Sequence, residues 1–439
     1  MKQEGSLSVR DVVAIVVGIV VGVGIFRTPS VVAANAGGPG LLILIWIIGG
    51  VISLNGALCY AELATTYPHP GGDYHYITRA FGKKAAFLFA WARMTVIQTG
   101  SIAMLAFIFG DYLTGLLPIT SSASPFFAAI AILSLTAINL IGMREGKTTQ
   151  TVLTVAKVLG LLAVIIPGIL YTQPIGIAPS GSPSGNMLGL AMIFVLLTYG
   201  GWNEAAYVSA DLKHVRRGMV PALLWSLAII TAVYVLANLA FLRVLGLAGM
   251  SASEHVAADL AGRLFGQSGA RLLSLLICVS ALGSINGSIV TGARTNLALG
   301  MDQPMFRALA RWRETTATAP IALLVQCAIS LLLILLGACT RQGFVAMVEY
   351  TAPVFWGFFF LGALSLIVLR VREPGVERPF PVPLYPFTPI LFCATCLYMF
   401  RASLAYTGKG ALVGLAVLFC GLIPVLFDYL KPAQRGGSP

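Results

Sequence analysis

Long apolar runs separated by short polar loops extend over nearly the whole chain, and this pattern predicts its architecture. A helix of about 20 apolar residues is long enough to cross the hydrocarbon core of a bilayer. On this criterion we predict an all-α membrane protein with twelve transmembrane helices. Their approximate ranges are 11–34, 40–66, 84–113, 125–142, 150–172, 187–210, 219–245, 269–300, 319–339, 343–370, 385–405 and 410–430.

Two of these spans are interrupted by glycine. The first carries Gly18, Gly22 and Gly24 and then Pro29, and the sixth carries the sequence YGGWN over residues 199–203. Unpaired backbone groups are costly in hydrocarbon, so an unwound segment is tolerated where it lines a protein cavity. Interrupted spans at corresponding places in two halves of a chain indicate the central binding site of a transporter.

The chemistry of the two breaks predicts a site for a zwitterion. The N–H groups of residues 22–25 stand before a half-helix, whose N-terminus favours an anion. The last carbonyl groups of the preceding half-helices, near Val20 in the first span and near Leu197 and Tyr199 in the sixth, favour a cation. The alternative is that the glycines only allow helices to pack closely, and Gly18 with the glycine four residues later has the spacing of that motif.

Composition and charge exclude several other classes of protein. The chain of 439 residues is 58% hydrophobic and 10% charged, with a mean hydropathy of +0.89, whereas soluble domains are about 25% charged. The net charge of +12 is not gathered into a nucleic-acid patch, because 19 of the 28 Lys and Arg residues fall in or beside alternate loops and 6 in or beside the others. The positive-inside rule then places both termini inside.

The connecting segments add few features. We predict a short amphipathic helix over residues 69–82 and a helix over residues 251–266 that covers the outer mouth. The Pro/Gly/Ser-rich loop 172–186 separates the first five spans from the next five.

All seven cysteines lie in apolar spans, so we expect no disulfide framework. No metal spacing, catalytic triad or phosphate loop appears, so we expect neither a cofactor nor an enzyme.

Four ionisable residues within the apolar spans are candidates for function. Lys157 lies about seven residues inside the fifth span with no acidic neighbour in sequence; it either acts there or reaches an interface, and it could also carry a transported proton. Arg27 either lines the outer vestibule or points outward. Glu204 either binds a basic side chain or a proton, or pairs with a neighbouring helix. Glu349 is a proton-site candidate in the tenth span.

Five spaced motifs give the chain a specific resemblance over almost its whole length. The chain resembles the amino acid–polyamine–organocation superfamily, and within it the L-type amino acid transporters and their bacterial relatives. The motifs are GVGIF in the first span, CYAELATTYPHPGGDY at 59–74, TYGGWNE at 198–204, GSINGS at 283–288 with Arg294, and ERPFPVP at 377–383. The resemblance implies a five-plus-five inverted repeat (residues 11–172 and 187–370) with two further helices (385–430), discontinuous first and sixth spans, and alternating access.

The resemblance also implies roles for individual residues. The substrate carboxylate would be held by Gly22, Val23, Gly24 and Ile25. Carbonyl groups for the ammonium would come from Val20, Leu197 and Gly200, and Ser101, Leu105 and Asn203 would face the side chain. Many relatives have serine where this chain has Val23, which can offer only its backbone N–H. Relatives with lysine at the position of Lys157 do not use sodium, because the ammonium takes the sodium position and meets span-eight hydroxyls, here Ser280 or Ser284.

The sequence therefore favours a sodium-independent exchanger or facilitator of neutral L-α-amino acids. The alternative is a proton symporter, or a transporter of cationic amino acids or polyamines, in which Glu204 or Glu349 would matter. Animal L-type relatives join a glycoprotein through an outside cysteine between spans three and four. The corresponding loop, 114–124, has none, so we expect no disulfide-linked partner. Short loops and termini suggest a bacterial inner-membrane protein whose partners are the amino acid and the bilayer.

Overall fold

The computed structural model describes residues 8–69, 71–117, 120–142, 146–171, 185–206, 212–314, 316, 318–340, 342–406 and 408–424. The side chains of residues 121, 146–157, 185–187, 408 and 409 are outside this description. In the described part, fifteen α-helices follow one another with no strand. They are α1 Val9–Val20, α2 Thr28–Ala36, α3 Pro39–Thr66, α4 Gly72–Phe81, α5 Lys83–Ala92, α6 Gln98–Leu116, α7 Ser124–Ile141, α8 Gly146–Leu170, α9 Gly185–Tyr199, α10 Val215–Ala252, α11 Val256–Asp302, α12 Pro320–Ala338, α13 Gly343–Arg372, α14 Phe387–Tyr406 and α15 Gly408–Cys420.

Eight continuous helical stretches of the described chain are long and apolar enough to cross a membrane, so the protein is a multi-pass membrane protein. They are α3, α5 with α6, α7, α10, α11, α12, α13 and α14. The first and sixth predicted spans are divided into shorter helices, as the sequence predicts. The fifth and twelfth overlap α8 and α15, where the described apolar stretches are Val158–Leu170, within α8, and Gly410–Pro424, which begins in α15 and extends four residues past it. The count of twelve spans and the inverted repeat stay predictions.

Three irregularities shape the long helices. A π-helical turn, Arg93–Ile97, joins α5 to α6. Gly246, with φ 69°, kinks α10, and Gly266, with φ 71°, kinks α11, so that Val256 to Phe265 form a short separate helix. Positive φ values suit glycine because it has no Cβ. The predicted helices over 69–82 and 251–266 are thus present, as α4 and as the first part of α11.

A buried carboxylate fastens the ends of α3 and α13. Glu62 is 2% exposed and accepts two hydrogen bonds from Arg370, of 2.7 and 2.5 Å. It also accepts the backbone N–H of Val382 at 2.6 Å, and Arg378 lies 3.4 Å away. Arg378 and Val382 belong to the ERPFPVP motif. This motif therefore supplies a positive charge and a backbone N–H to the carboxylate of Glu62, whose burial without partners would be costly.

Candidate functional site

The first helix break lies where the sequence carries GVG. The helix α1 ends at Val20, Gly22 is extended (φ −90°, ψ −170°), and a 3-10 turn, Val23–Phe26, follows. The first N–H groups of a helical segment have no carbonyl partner within it, and Gly22 has no side chain to cap them. Gly22, Val23 and Gly24 all border a cavity, so an anion there can approach the N–H groups at the start of the 3-10 turn, those of Val23 and Gly24, whereas the N–H of Gly22 donates to the Val20 carbonyl.

The second break follows α9. Gly201 has φ 108°, and the 3-10 segment Trp202–Ala206 begins directly after it. A Cβ atom at this glycine would lie 2.9 Å from a methyl carbon of Ile19, next to the first break. The two breaks therefore meet in space although about 180 residues separate them in the chain, and glycine at 201 is needed both for conformation and for close approach.

A cavity of about 300 Å³ lies between the two breaks. Its other walls come from the π-helical turn with α6, from α11 and from α13. The polar side chains along these walls are Gln98, Ser101, Ser284, Ser288, Thr291 and Thr351, and the apolar ones include Met104, Leu105, Phe344, Val348, Phe355 and Phe359. Mostly apolar walls with a few polar groups are the usual composition of a small-molecule site.

Most of the residues that the sequence singled out border this cavity. Those that do are Val20, Gly22, Val23, Gly24, Ser101, Leu105, Leu197, Gly200, Asn203, Glu204 and Ser284. Five others do not line it: Ile25, Arg27, Tyr199, Ser280 and Glu349. Lys157 lies in α8, and its side chain is outside the described part of the structure.

The carbonyl group of Val20 is already engaged. It accepts the N–H of Gly22 at 2.6 Å and the hydroxyl of Tyr234, in α10, also at 2.6 Å. The same hydroxyl lies 3.1 Å from the carbonyl oxygen of Thr198, at the end of α9. A carbonyl oxygen has two lone pairs, so in this conformation the carbonyl of Val20 has little capacity left for a substrate ammonium.

The candidate residues away from the cavity differ in their surroundings. The Tyr199 hydroxyl donates to the carbonyl of Trp46 at 3.0 Å, and its ring packs on Tyr234. Glu349 lies beside Gly410 of α15, because a Cβ there would be 3.3 Å from its carboxylate. The Ser280 hydroxyl is buried without a partner among the described side chains, which do not include that of Lys157.

Arg27 is buried directly after the first break and does not line the cavity. It is 8% exposed and donates to the backbone carbonyl of Glu254, just before α11. Nearby, Tyr112 donates to the carbonyl of Phe26 at 2.7 Å, and His255 lies 2.8 Å from the carbonyl of Asp111. The first break, the end of α6 and the start of α11 are thus joined.

The cavity wall carries two charged residues that sequence reasoning missed. Arg93 borders the cavity and pairs with Glu204 at 3.1 Å, so Glu204 pairs with a neighbouring helix. Asp73 of α4 borders it too and accepts from Asn203 at 3.4 Å. The sequence alone could have identified Arg93, because an arginine ten residues into an apolar run is by its position a candidate functional residue. Asp73 gave no such signal, since its segment is predicted as an amphipathic helix at the surface, where a carboxylate is ordinary.

Comparisons with known proteins show the family to which this chain belongs. The family described as amino acid permease matches residues 7–424. The serine/threonine exchanger SteT of Bacillus subtilis is 29% identical over 412 residues, which cover 92% of this chain and 93% of that protein. The large neutral amino acids transporter small subunit 2 of Mus musculus is 32% identical, over 94% and 78% of the two chains. The human cystine/glutamate transporter is 29% identical, over 95% and 84%. The chain therefore belongs to the amino acid permease family, within the amino acid–polyamine–organocation superfamily.

Proposed function

We propose that this protein is a sodium-independent secondary transporter that exchanges neutral L-α-amino acids by alternating access. The observation that carries the proposal is the meeting of two helix breaks at one cavity of about 300 Å³. Such a cavity suits a molecule of amino acid size. The similarity to transporters whose names specify serine/threonine exchange and large neutral amino acids supports the same substrate class.

The two charged ends of the substrate have different partners in this proposal. The carboxylate binds the N–H groups of the first break, at Gly22 to Ile25, with Val23 and Gly24 bordering the cavity. The N–H of Gly22 donates to the Val20 carbonyl in this structure, so we propose that it joins the carboxylate site when that hydrogen bond is released. The ammonium binds carbonyl groups of the second break, from Leu197 and Gly200. Because the carbonyl of Val20 is engaged with Tyr234, we propose that it receives the ammonium in a different conformational state.

The side chain of the substrate then extends toward α6 and α13. Ser101 and Leu105 lie on one side, and Phe344 and Val348 on the other. The apolar wall favours uncharged side chains because a charge would lose its hydration there. Asn203 adds a polar group at the second break.

Sodium independence rests on Lys157. We propose that its ammonium group stands in the place of a sodium ion and binds a hydroxyl of α11. Ser280 is the better candidate because its hydroxyl is buried without a described partner, whereas Ser284 borders the cavity and donates to the Ser280 carbonyl at 3.1 Å. Lys157→Ala should therefore abolish most transport, while Lys157→Arg should retain part of it.

Proton symport is the second candidate, and one observation favours it. Asp73 is 4% exposed beside the cavity, and burial raises its pKa while the Arg93 guanidinium opposes that rise. A carboxyl group that borders the cavity, and whose charged form is disfavoured by burial, is a candidate to bind a transported proton. Glu204 and Glu349 are weaker candidates for this role, the first because of its ion pair and the second because it lies away from the cavity.

The proposal includes the surroundings of the protein. We propose a bacterial inner membrane with both termini inside, where the short loop at 114–124 offers no cysteine to a disulfide-linked partner. The name of the mouse relative marks it as a small subunit, and a partner held without a disulfide is compatible with this chain.

The test is uptake of a panel of radiolabelled amino acids into proteoliposomes of purified protein. Each amino acid is measured with and without internal amino acid, external sodium and an inward proton gradient. We expect uptake of neutral amino acids that requires internal substrate and ignores both ions. Uptake that rises with the proton gradient would replace exchange by symport, and absence of neutral amino acid transport would overturn the proposed substrate class.

A further inference from the structure

The ion pair between Arg93 and Glu204 lies in the wall of the cavity. Nη2 of Arg93 is 3.1 Å from Oε1 of Glu204, and the two side chains are 8% and 29% exposed. Arg93 belongs to the π-helical turn of the third span, and Glu204 follows the second break by three residues. The pair therefore joins two elements of the cavity wall that are far apart in the sequence.

Other ion pairs in the described part of the chain are placed differently. Arg79–Glu373 and Arg216–Glu377 are at the surface, with exposures of 41% and 25% and of 62% and 75%. The pairs made by Glu62 fasten helix ends and do not border the cavity. Arg93–Glu204 is the pair that a molecule inside the cavity can approach.

One more charged group acts on this pair. Asp73 is electrostatically coupled to both Arg93 and Glu204 and accepts a hydrogen bond from Asn203. Its burial raises its pKa, because the charged form of the carboxyl group loses hydration there.

A substrate with a charged side chain would have to compete with this pair. Electrostatic interactions are stronger in a partly buried site than in water, and a charge that loses its partner there is costly. A cationic side chain can reach Glu204 only by displacing Arg93, and an anionic one can reach Arg93 only by displacing Glu204. An uncharged side chain leaves the pair intact. Discrimination of this kind works against unwanted ligands and needs no added contact to the favoured ones.

We propose that the Arg93–Glu204 pair is a specificity-determining element that makes the cavity reject amino acids with charged side chains of either sign. This inference rests on the proposed transport of neutral amino acids and adds to it the residues that set the boundary of the substrate class.

The test uses Glu204→Gln, Arg93→Gln and the double variant, each reconstituted in proteoliposomes. Initial uptake rates are measured for leucine, lysine and glutamate and expressed as ratios to leucine, so that loss of total activity cancels. With Glu204→Gln we expect the glutamate ratio to rise about tenfold, a change equivalent to about 1.4 kcal/mol. With Arg93→Gln we expect the same rise for lysine. The double variant should gain neither to that extent, because neither charge is left.

Arg79→Gln is the matched control, because it removes an arginine from a surface pair away from the cavity. It should leave all ratios unchanged. Unchanged exclusion of lysine and glutamate in both single variants would overturn the inference, even if leucine transport confirms the proposed function. Absence of leucine transport in the wild-type protein would instead overturn the proposed function itself.

A second measurement uses only the wild-type protein, so it tests the inference even if the variants are too unstable to transport. The wild-type protein is titrated with glutamine and with glutamate, which have similar size and differ in charge, and binding is followed by the shift in melting temperature. We expect glutamine to bind at least about tenfold more tightly. Equal binding of the two would overturn the inference without any variant.

Discussion

The hydroxyl group of Tyr234 lies 2.6 Å from the carbonyl oxygen of Val20, at the point where the first helix is broken. The same oxygen atom of Tyr234 is 3.1 Å from the carbonyl of Thr198, where α9 approaches the second break. The ring is buried and packs against Tyr199 and Trp46. One side chain of α10 therefore joins the backbones of both breaks, which lie far from each other and from it in the sequence.

Removal of this hydroxyl tests whether it holds the two breaks in one conformation. Tyr234→Phe should lower the rate of exchange about fivefold, because the loss of one hydrogen bond of about 1 kcal/mol shifts the balance between transport states. The measurement is the initial rate of exchange in proteoliposomes. Tyr350→Phe is the control, since its hydroxyl also donates to a carbonyl, that of Thr95 at 2.9 Å, but touches neither break. Equal rates in the two variants would contradict a role of Tyr234 in the transport cycle.

The left-handed glycine of the second break should be intolerant of a side chain. Gly201→Ala places a Cβ at φ 108° and 2.9 Å from Ile19, so we expect a loss of stability of about 1–3 kcal/mol and a large loss of transport. Melting temperature in detergent and exchange rate are measured together. Gly357→Ala is the control, because its Cβ would meet only ordinary contacts at 3.8 Å. A variant at 201 as stable and active as the control would show that the break adjusts freely.

The buried carboxylate of Glu62 should be needed for folding. Glu62→Gln leaves Arg370 and Arg378 without a counter-charge, which is expected to cost about 3–5 kcal/mol. The readout is the yield and melting temperature of purified protein. The exposed pair partner Glu377 provides the comparison, and Glu377→Gln should change stability by less than about 1 kcal/mol. Similar effects of the two substitutions would rule out a special role for the Glu62 cluster.

The histidines beside α4 should make stability depend on pH. Burial, His69 and Arg79 lower the pKa of His75 from 6.5 to about 4. The unfolded chain therefore binds a proton between pH 6.5 and 4 that the folded protein does not, so stability falls as the pH decreases through that window. We expect the melting temperature to drop between pH 7 and pH 4.5, and His75→Asn to reduce that drop. An identical pH profile in this variant would assign the pH dependence to other groups.

Local pattern was sufficient for much of the fold. Apolar runs located the long helices, and helical periodicity located α4 and the start of α11, because both depend on neighbouring residues. The glycines of GVGIF and YGGWNE identified both helix breaks, because glycine lowers the cost of non-helical backbone within an apolar run. Eleven of the candidate residues named from the sequence border the cavity, and six of these eleven belong to the two motifs.

The tertiary structure decided which groups at the site are already in use. Nothing in the neighbourhood of Val20 shows that Tyr234, more than 200 residues away, donates to its carbonyl. The pairing of Arg93 with Glu204, and the position of Asp73 beside them, likewise depend on contacts between separate elements. The sequence thus determined where the backbone is broken, because that is a local property of glycine in an apolar run. Packing between distant helices determined which partners the exposed backbone and the buried charges find there.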